Sequence, residues 1–146
     1  LCKIDPEGKL IWRSKSKAKI LGPLFIDNEF SYYRSDTGYI QIDNKNGVNT
    51  WEIEINTNTR CAPSILNNGH LVLPSFHRTI YVYDPKSKQR IIQKNLDTAF
   101  KPNSNIPINL NNHGFVVSED SIQCIDFNNG NTIFEHIIPG CLNAPN

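Results

Sequence analysis

Four stretches of this chain repeat one pattern, and a repeat of this kind limits the possible folds more than any single residue can. The stretches run from Cys2 to Trp12, Ile40 to Trp51, Tyr81 to Ile92 and Gln123 to Phe134. In each, alternating apolar residues lead into an aspartate, turn-forming residues follow, and a second apolar run closes the unit. The aspartates are Asp5, Asp43, Asp84 and Asp126, at spacings of 38, 41 and 42 residues. Units of about 40 residues with this chemistry match four-stranded antiparallel sheets repeated around an axis.

Within a stretch the pattern reads strand, tight turn, strand. The aspartate opens the turn by accepting from nearby backbone N–H groups, and Gly8, Gly47 or Gly130 supplies the position that needs φ > 0. Seven or eight residues after the aspartate stands a large side chain: Trp12, Trp51, Ile92 or Phe134. A bulky residue at a fixed place in each unit is expected to pack between neighbouring units, so Trp12, Trp51 and Phe134 are predicted to be buried docking residues. The remainder of the unit also recurs. Pro-centred entries lie at Gly22-Pro23, Ala62-Pro63, Ile106-Pro107 and Ala144-Pro145. Hairpin signals follow at Asp27-Asn28, Asn67-Asn68-Gly69 and Asn111-Asn112-His113-Gly114.

The predicted fold is therefore all-β, a β-propeller of four-stranded antiparallel blades with about 14 strands and no helix longer than a turn or two. Residues 1–146 form a single partial propeller of about three and a half blades. Residues 1–14 are the outer two strands of an earlier blade, 23–55, 63–95 and 107–138 are full blades, and 139–146 lead into a next one. An open arc would expose blade faces, so further blades from the same chain or from a second copy are expected to close the ring. Continuation of the chain is the favoured alternative, and the isolated segment is expected to be aggregation-prone or marginally folded.

Charge is nearly balanced, with 15 Lys+Arg against 14 Asp+Glu, which argues against bulk nucleic-acid binding. Methionine is absent and alanine scarce, as suits strands better than helices. No apolar run approaches the roughly 20 residues that span a bilayer. The four cysteines, Cys2, Cys61, Cys124 and Cys141, show no C-x-x-C spacing and read as isolated small hydrophobes.

The segment Ile42-Asp43-Asn44-Lys45-Asn46-Gly47-Val48-Asn49-Thr50-Trp51 resembles the apolar–Asp–turn–Gly–Trp motif of the PQQ-like (quinoprotein-type) repeat family. That family includes quinoprotein dehydrogenases and the BamB-type outer-membrane assembly scaffolds. The resemblance spans nearly the whole chain. It implies the propeller fold, a protein partner and an extracytoplasmic location, periplasmic or secreted. The third copy departs most, with Lys88 in the glycine place and Ile92 in the tryptophan place, so that blade is expected to dock less tightly. In the enzymes of the family a full ring holds quinone with calcium, aided by a vicinal disulfide and a catalytic carboxylate. This sequence has no Cys-Cys pair and no Asp or Glu that matches the catalytic place, so no cofactor, no metal and no catalytic residue is assigned.

Other constellations are weak. Asp126-Phe127-Asn128-Asn129-Gly130 has the oxygen ligands of a calcium loop, but its glycine register is wrong and Ile137 stands where a bidentate glutamate is needed. His70 and His113 occupy similar turn positions in different blades, and no nucleophile–base pair can be assembled with them. Lys15, Lys17 and Lys19 alternate as a charged outer edge would. Hairpin geometry puts the short Asn/Gly turns on one face of the propeller. The other face carries Arg34-Ser35-Asp36-Thr37, Ser75 to Arg78, Glu119-Asp120 and the longer loop from Asp97 to Asn105. Loops on a rigid scaffold carry function, so Arg34, Asp36, His77, Arg78, Lys101, Glu119 and Asp120 are the candidate partner-binding residues. The expected function is a non-catalytic protein-binding scaffold. The alternatives are a sensor or accessory domain of a larger chain and a fragment of a quinoprotein oxidoreductase.

Overall fold

The computed structural model describes residues 1–15, 18–55, 63–75, 79–96, 108–117 and 121–138. These residues form fourteen β-strands and no helix. The chain divides into two compact units, Leu1–Thr57 and Asn58–Asn146. The first contains β1 (Cys2–Ile4), β2 (Leu10–Arg13), β3 (Ile20–Ile26), β4 (Phe30–Ser35), β5 (Gly38–Asp43) and β6 (Asn49–Glu54). The second contains β7 (Ser64–Ile65), β8 (Leu71–Ser75), β9 (Thr79–Asp84), β10 (Gln89–Asn95), β11 (Ile108–Leu110), β12 (His113–Val117), β13 (Ser121–Asp126) and β14 (Asn131–Ile137).

Strands pair in sequence order and always antiparallel. They make a two-stranded sheet β1–β2 and three four-stranded sheets, β3–β6, β7–β10 and β11–β14. Short connections rich in Asn, Asp and Gly dictate this, because a tight turn can only join antiparallel neighbours.

The aspartate turns are built alike. In each of the three four-stranded sheets the aspartate carbonyl accepts from the N–H four residues on: Gly47 to Asp43 at 2.8 Å, Lys88 to Asp84 at 2.8 Å and Gly130 to Asp126 at 2.8 Å. The donor residue has positive φ every time, at 74° for Gly47, 60° for Lys88 and 79° for Gly130. Lys88 adopts the left-handed region without the freedom of glycine, a conformation costing roughly 1 kcal/mol in an ordinary residue. The first turn is one residue tighter, with Gly8 N–H bonded to the Asp5 carbonyl at 3.0 Å.

That tighter turn explains why the bulky residue stands at +7 in the first stretch and +8 in the others. All four hairpins carry a register shift just after the turn, and the bulky residue emerges directly beyond it. Trp12 pairs with Lys3, Trp51 with Gln41, Ile92 with Val82 and Phe134 with Cys124, each two residues before the aspartate. A β-bulge bends a strand and re-aims the next side chain, and here it does so at the same place in every unit.

Each unit has its own core. In the first, Tyr33, Ile40 and Ile42 are buried, with Leu1, Trp12 and Ala18 packed against them. In the second, Leu66, Val72, Ile80, Val82 and Leu96 of one sheet join Val116, Ile125 and Phe127 of the next, and Ile92 packs on the cluster.

Candidate partner-binding site

The carboxylates of the repeated aspartates are committed to their own turns. Asp5 accepts from the Lys9 N–H at 2.7 Å and Asp43 from the Lys45 N–H at 2.7 Å. Asp84 accepts from the Ser87 hydroxyl at 2.7 Å and the Lys86 N–H at 2.9 Å. The Ser87 bond, then the Lys86 N–H, holds the Asp84 carboxyl below the usual carboxylate range. Asp126 takes the Asn128 N–H at 2.9 Å and the side-chain amides of Asn128 and Asn129 at 2.8 and 2.7 Å. The Asn128 N–H is the main reason its carboxyl is also lowered. Hydrogen bonds to the ionised form account for both shifts.

The bulky residues differ in how they are covered. Trp12 lies on Gly47 so closely that a Cβ there would stand 2.7 Å from the indole ring. Its Nε1–H donates to the Asn44 carbonyl at 2.9 Å. Ile92 lies on Gly130 in the same way, with a Cβ there 3.1 Å from Cγ2. In both cases the glycine of one sheet's turn receives the bulky residue of the sheet before it. Trp51 is half-buried. Phe134 departs from its predicted burial. It is 46% exposed and its ring meets Phe115 of its own sheet at 6.1 Å between centroids. The physical reason is that no described turn lies over it as Gly47 lies over Trp12.

Of the candidate partner-binding residues, His77, Arg78, Lys101, Glu119 and Asp120 lie outside the described residues, as do Cys61 and Cys141. Cys2 is an exposed and Cys124 a buried free thiol. Arg34 and Asp36 are described and stand at the β4–β5 end of the first unit. Asp36 is exposed, and its carboxylate accepts from the Lys19 N–H at 3.2 Å. Between them Ser35 ties the turn, its hydroxyl bonding the Gly38 carbonyl at 3.2 Å and accepting from the Gly38 N–H at 3.1 Å. Gly38 is fixed by close approach, since a Cβ would fall 1.9 Å from the Ile53 carbonyl oxygen. A cavity of about 530 Å³ opens beside the turn, lined by Lys15, Tyr33, Asp36, Thr37, Asn49 and Glu52 among others. Both signs of charge face it.

Arg34 corrects the expectation of a loop residue. It belongs to β4, pairs with Tyr39 of β5, and is only 6% exposed. Its Nε and Nη1 are enclosed and have no hydrogen-bond partner. Neighbouring Tyr32 is also buried, and burial above all pushes its phenol up from 10.0 to about 12, against the opposing pull of the Gln41 hydrogen bond. The sequence signal that could have placed Arg34 is the alternation of β4 itself: Phe30, Tyr32 and Arg34 share one side of that strand.

A family model described as outer membrane protein assembly factor BamB matches residues 1–137. The chain belongs to the BamB family. Among solved structures, BamB from Moraxella catarrhalis superposes with a TM-score of 0.74 at 16% identity, over 89% of this chain and 40% of that one. Hydrazine synthase from Kuenenia stuttgartiensis gives 0.67 at 14% identity, over 86% and 38%. Kluyveromyces lactis Hsv2p gives 0.68 at 19% identity, over 88% and 42%. At such identities these likenesses establish the fold alone, an all-β propeller of four-stranded antiparallel blades, which BamB-family membership carries as well. The chain spans about two fifths of the length of these structures. No curated protein matches by sequence. No helix among the described residues is long and apolar enough to cross a membrane.

Proposed function

We propose that this BamB-family chain acts as a protein-binding scaffold outside the cytoplasm, meeting its partner at the β4–β5 end of the first unit. The observation that carries the reading is the family match over residues 1–137, to a family described by an assembly factor. A propeller suits that role because rigid hydrogen-bonded sheets hold their loop ends in fixed positions, so little ordering has to be supplied when a partner docks. The mixed-charge cavity around Asp36 and Lys15 gives that end polar groups able to orient a partner. On this reading catalysis plays no part, and neither quinone nor a metal is required.

Photo-crosslinking in the native host tests it. A crosslinking residue replacing Asp36 is expected to capture protein in an extracytoplasmic fraction. The same residue replacing Lys45, at the opposite end of the same sheet, should capture at least tenfold less. Equal capture at both positions would overturn the placement. Calcium-dependent quinone uptake with dye reduction would overturn the non-catalytic reading.

A further inference from the structure

Three asparagines of this chain are followed by glycine: Asn46, Asn68 and Asn129. The pair favours a tight hairpin, but asparagine is also a thermolabile residue. Glycine has no Cβ, so its backbone nitrogen can reach the side-chain carbon of the asparagine before it. The nitrogen bonds to Cγ, the Cγ–Nδ2 bond breaks, and ammonia leaves with the proton the glycine gives up. Water then opens the five-membered imide at either carbonyl, giving aspartate or isoaspartate. Water is the one reagent consumed.

The glycine nitrogen is engaged in all three turns. The Gly47 N–H bonds the Asp43 carbonyl at 2.8 Å, Gly69 that of Leu66 at 2.9 Å and Gly130 that of Asp126 at 2.8 Å. Attack waits for the turn to open, so its rate scales with the open fraction. What holds the turns shut differs. Asn46 and Asn129 are tied at both ends of the side-chain amide. Nδ2 of Asn46 donates to Asp43 at 3.3 Å and its oxygen accepts from the Val48 N–H at 2.9 Å. Nδ2 of Asn129 donates to Asp126 at 2.7 Å and its oxygen accepts from the Asn131 N–H at 2.8 Å. Their glycines are buried, Gly47 beneath the Trp12 indole and Gly130 beneath Ile92. Asn68 is tied at its oxygen, where the His70 N–H donates at 3.1 Å. Both Asn68 and Gly69 are exposed, and nothing stands within 4 Å of a Cβ built on Gly69.

We infer that Asn68 is a modification site: its turn between β7 and β8 forms the imide with Gly69 and passes to isoaspartate, while Asn46 and Asn129 are protected by their docks. The product gains a carboxylate and a main chain longer by one methylene. Its effect reaches the next sheet. The Asn68 N–H donates to the Asn112 side chain at 3.4 Å, and Asn112 donates to the Asn128 side chain at 3.1 Å. The added methylene displaces the first of these donors.

Incubation of the full chain at neutral pH tests this, with peptides taken at intervals and read by mass spectrometry for amide-to-acid conversion. Fragmentation tells isoaspartate from aspartate. Asn68 is expected to convert at least tenfold faster than Asn46 or Asn129, with isoaspartate the major product. In concentrated urea the three should convert at similar rates. Trp12→Ala should bring Asn46 towards the Asn68 rate and leave Asn129 unchanged. Should that variant fail to fold, the native rates of the parent chain still decide. Asn68→Gln should hold steady the Asn112 side-chain signals, which drift as the parent converts. Equal native rates at the three sites overturn the inference, as does Asn46 or Asn129 converting ahead of Asn68. Aspartate without isoaspartate overturns the imide route. Urea rates that keep the native order would show that neighbouring residues, not the fold, set the order.

Discussion

The two units use one device with different chemistry. In Leu1–Thr57 the docking residue is Trp12, which fills space over Gly47 and also donates a hydrogen bond to the Asn44 carbonyl. In Asn58–Asn146 the same place is taken by Ile92, which can offer only contact to Gly130 and to the aliphatic cluster around Val82 and Ile125. The sheets β3–β6 and β7–β10 also differ at one register. Two residues before the aspartate, the first unit buries Gln41, whose amide donates to the Tyr32 hydroxyl at 3.1 Å and whose oxygen accepts from Thr50 at 2.9 Å. The second unit puts Val82 at that register. A directional bond fixes the Trp12 dock, while the Ile92 dock relies on area and shape. The blade pattern thus prescribes a large residue and a place for it, and tolerates a change in how the contact is held.

The largest expected effect breaks the second unit by shape alone. A Cβ on Gly114 would fall 2.0 Å from Cε2 of Phe127, a ring 2% exposed at the heart of the cluster. Gly114→Ala should therefore destabilise by about 3 kcal/mol, read as faster hydrogen exchange in β8, β9 and β13. Amides of β4 and β5 speeding up equally would show that the two cores are one cooperative body.

Next come the docking residues. Trp12→Ala should cost about 2–3 kcal/mol and Ile92→Ala about 1–2, less than for full burial because both are partly covered. Trp12→Phe keeps most of the area and removes the bond to Asn44, so it should cost about 1 kcal/mol. If Trp12→Phe is neutral in equilibrium denaturation, the contrast between a bonded and an unbonded dock disappears.

Glycine replacements sharpen the same comparison. At Gly8 nothing lies within 4 Å of an added Cβ, so Gly8→Ala measures the strain of positive φ alone, about 1 kcal/mol. Gly130→Ala adds a tight approach at 3.1 Å to a methyl that can yield, and Gly47→Ala adds 2.7 Å to a rigid indole. Costs should rise in the order Gly8, Gly130, Gly47, and thermal denaturation giving equal losses at all three would show that the docks are loose.

The smallest effects are in pH, and the carboxyls and the buried phenol give effects of opposite sign. The lowered carboxyls of Asp84 and Asp126 favour the folded state once ionised, so their contribution is present above the ordinary carboxylate range and is lost as pH falls through their depressed values. Asp84→Asn and Asp126→Asn should flatten that acid loss in the second unit. Tyr32 behaves conversely: its raised phenol contributes fully below pH 10 and loses that contribution as pH climbs towards about 12. Tyr32→Phe should remove the alkaline loss in the first unit. Urea midpoints measured from pH 3 to pH 11 would check both, and identical profiles for the variants and the parent would count against these assignments.

Much of this architecture is local and so was legible in the residues. An aspartate four places before a glycine, between alternating apolar runs, specifies a turn and two strands wherever it occurs, and the period specifies how many strands each unit must hold. Even Lys88 follows, since the turn's own hydrogen bonds carry it into positive φ. Three features were decided only when the sheets packed. Gly114 reads as one more turn residue, yet Asn111 and Asn112 make that turn with φ of 57° and 64°, and Gly114 is needed because Phe127 lies on it. Phe134 shares the register of Trp12, but burial depends on what lies over a residue, which no local pattern encodes. Arg34 looks like a loop cation in sequence and becomes an enclosed, unpaired one in the sheet. Hydrogen bonds within a hairpin are fixed by neighbours along the chain, whereas burial and charge pairing are fixed by whatever the fold brings across from elsewhere.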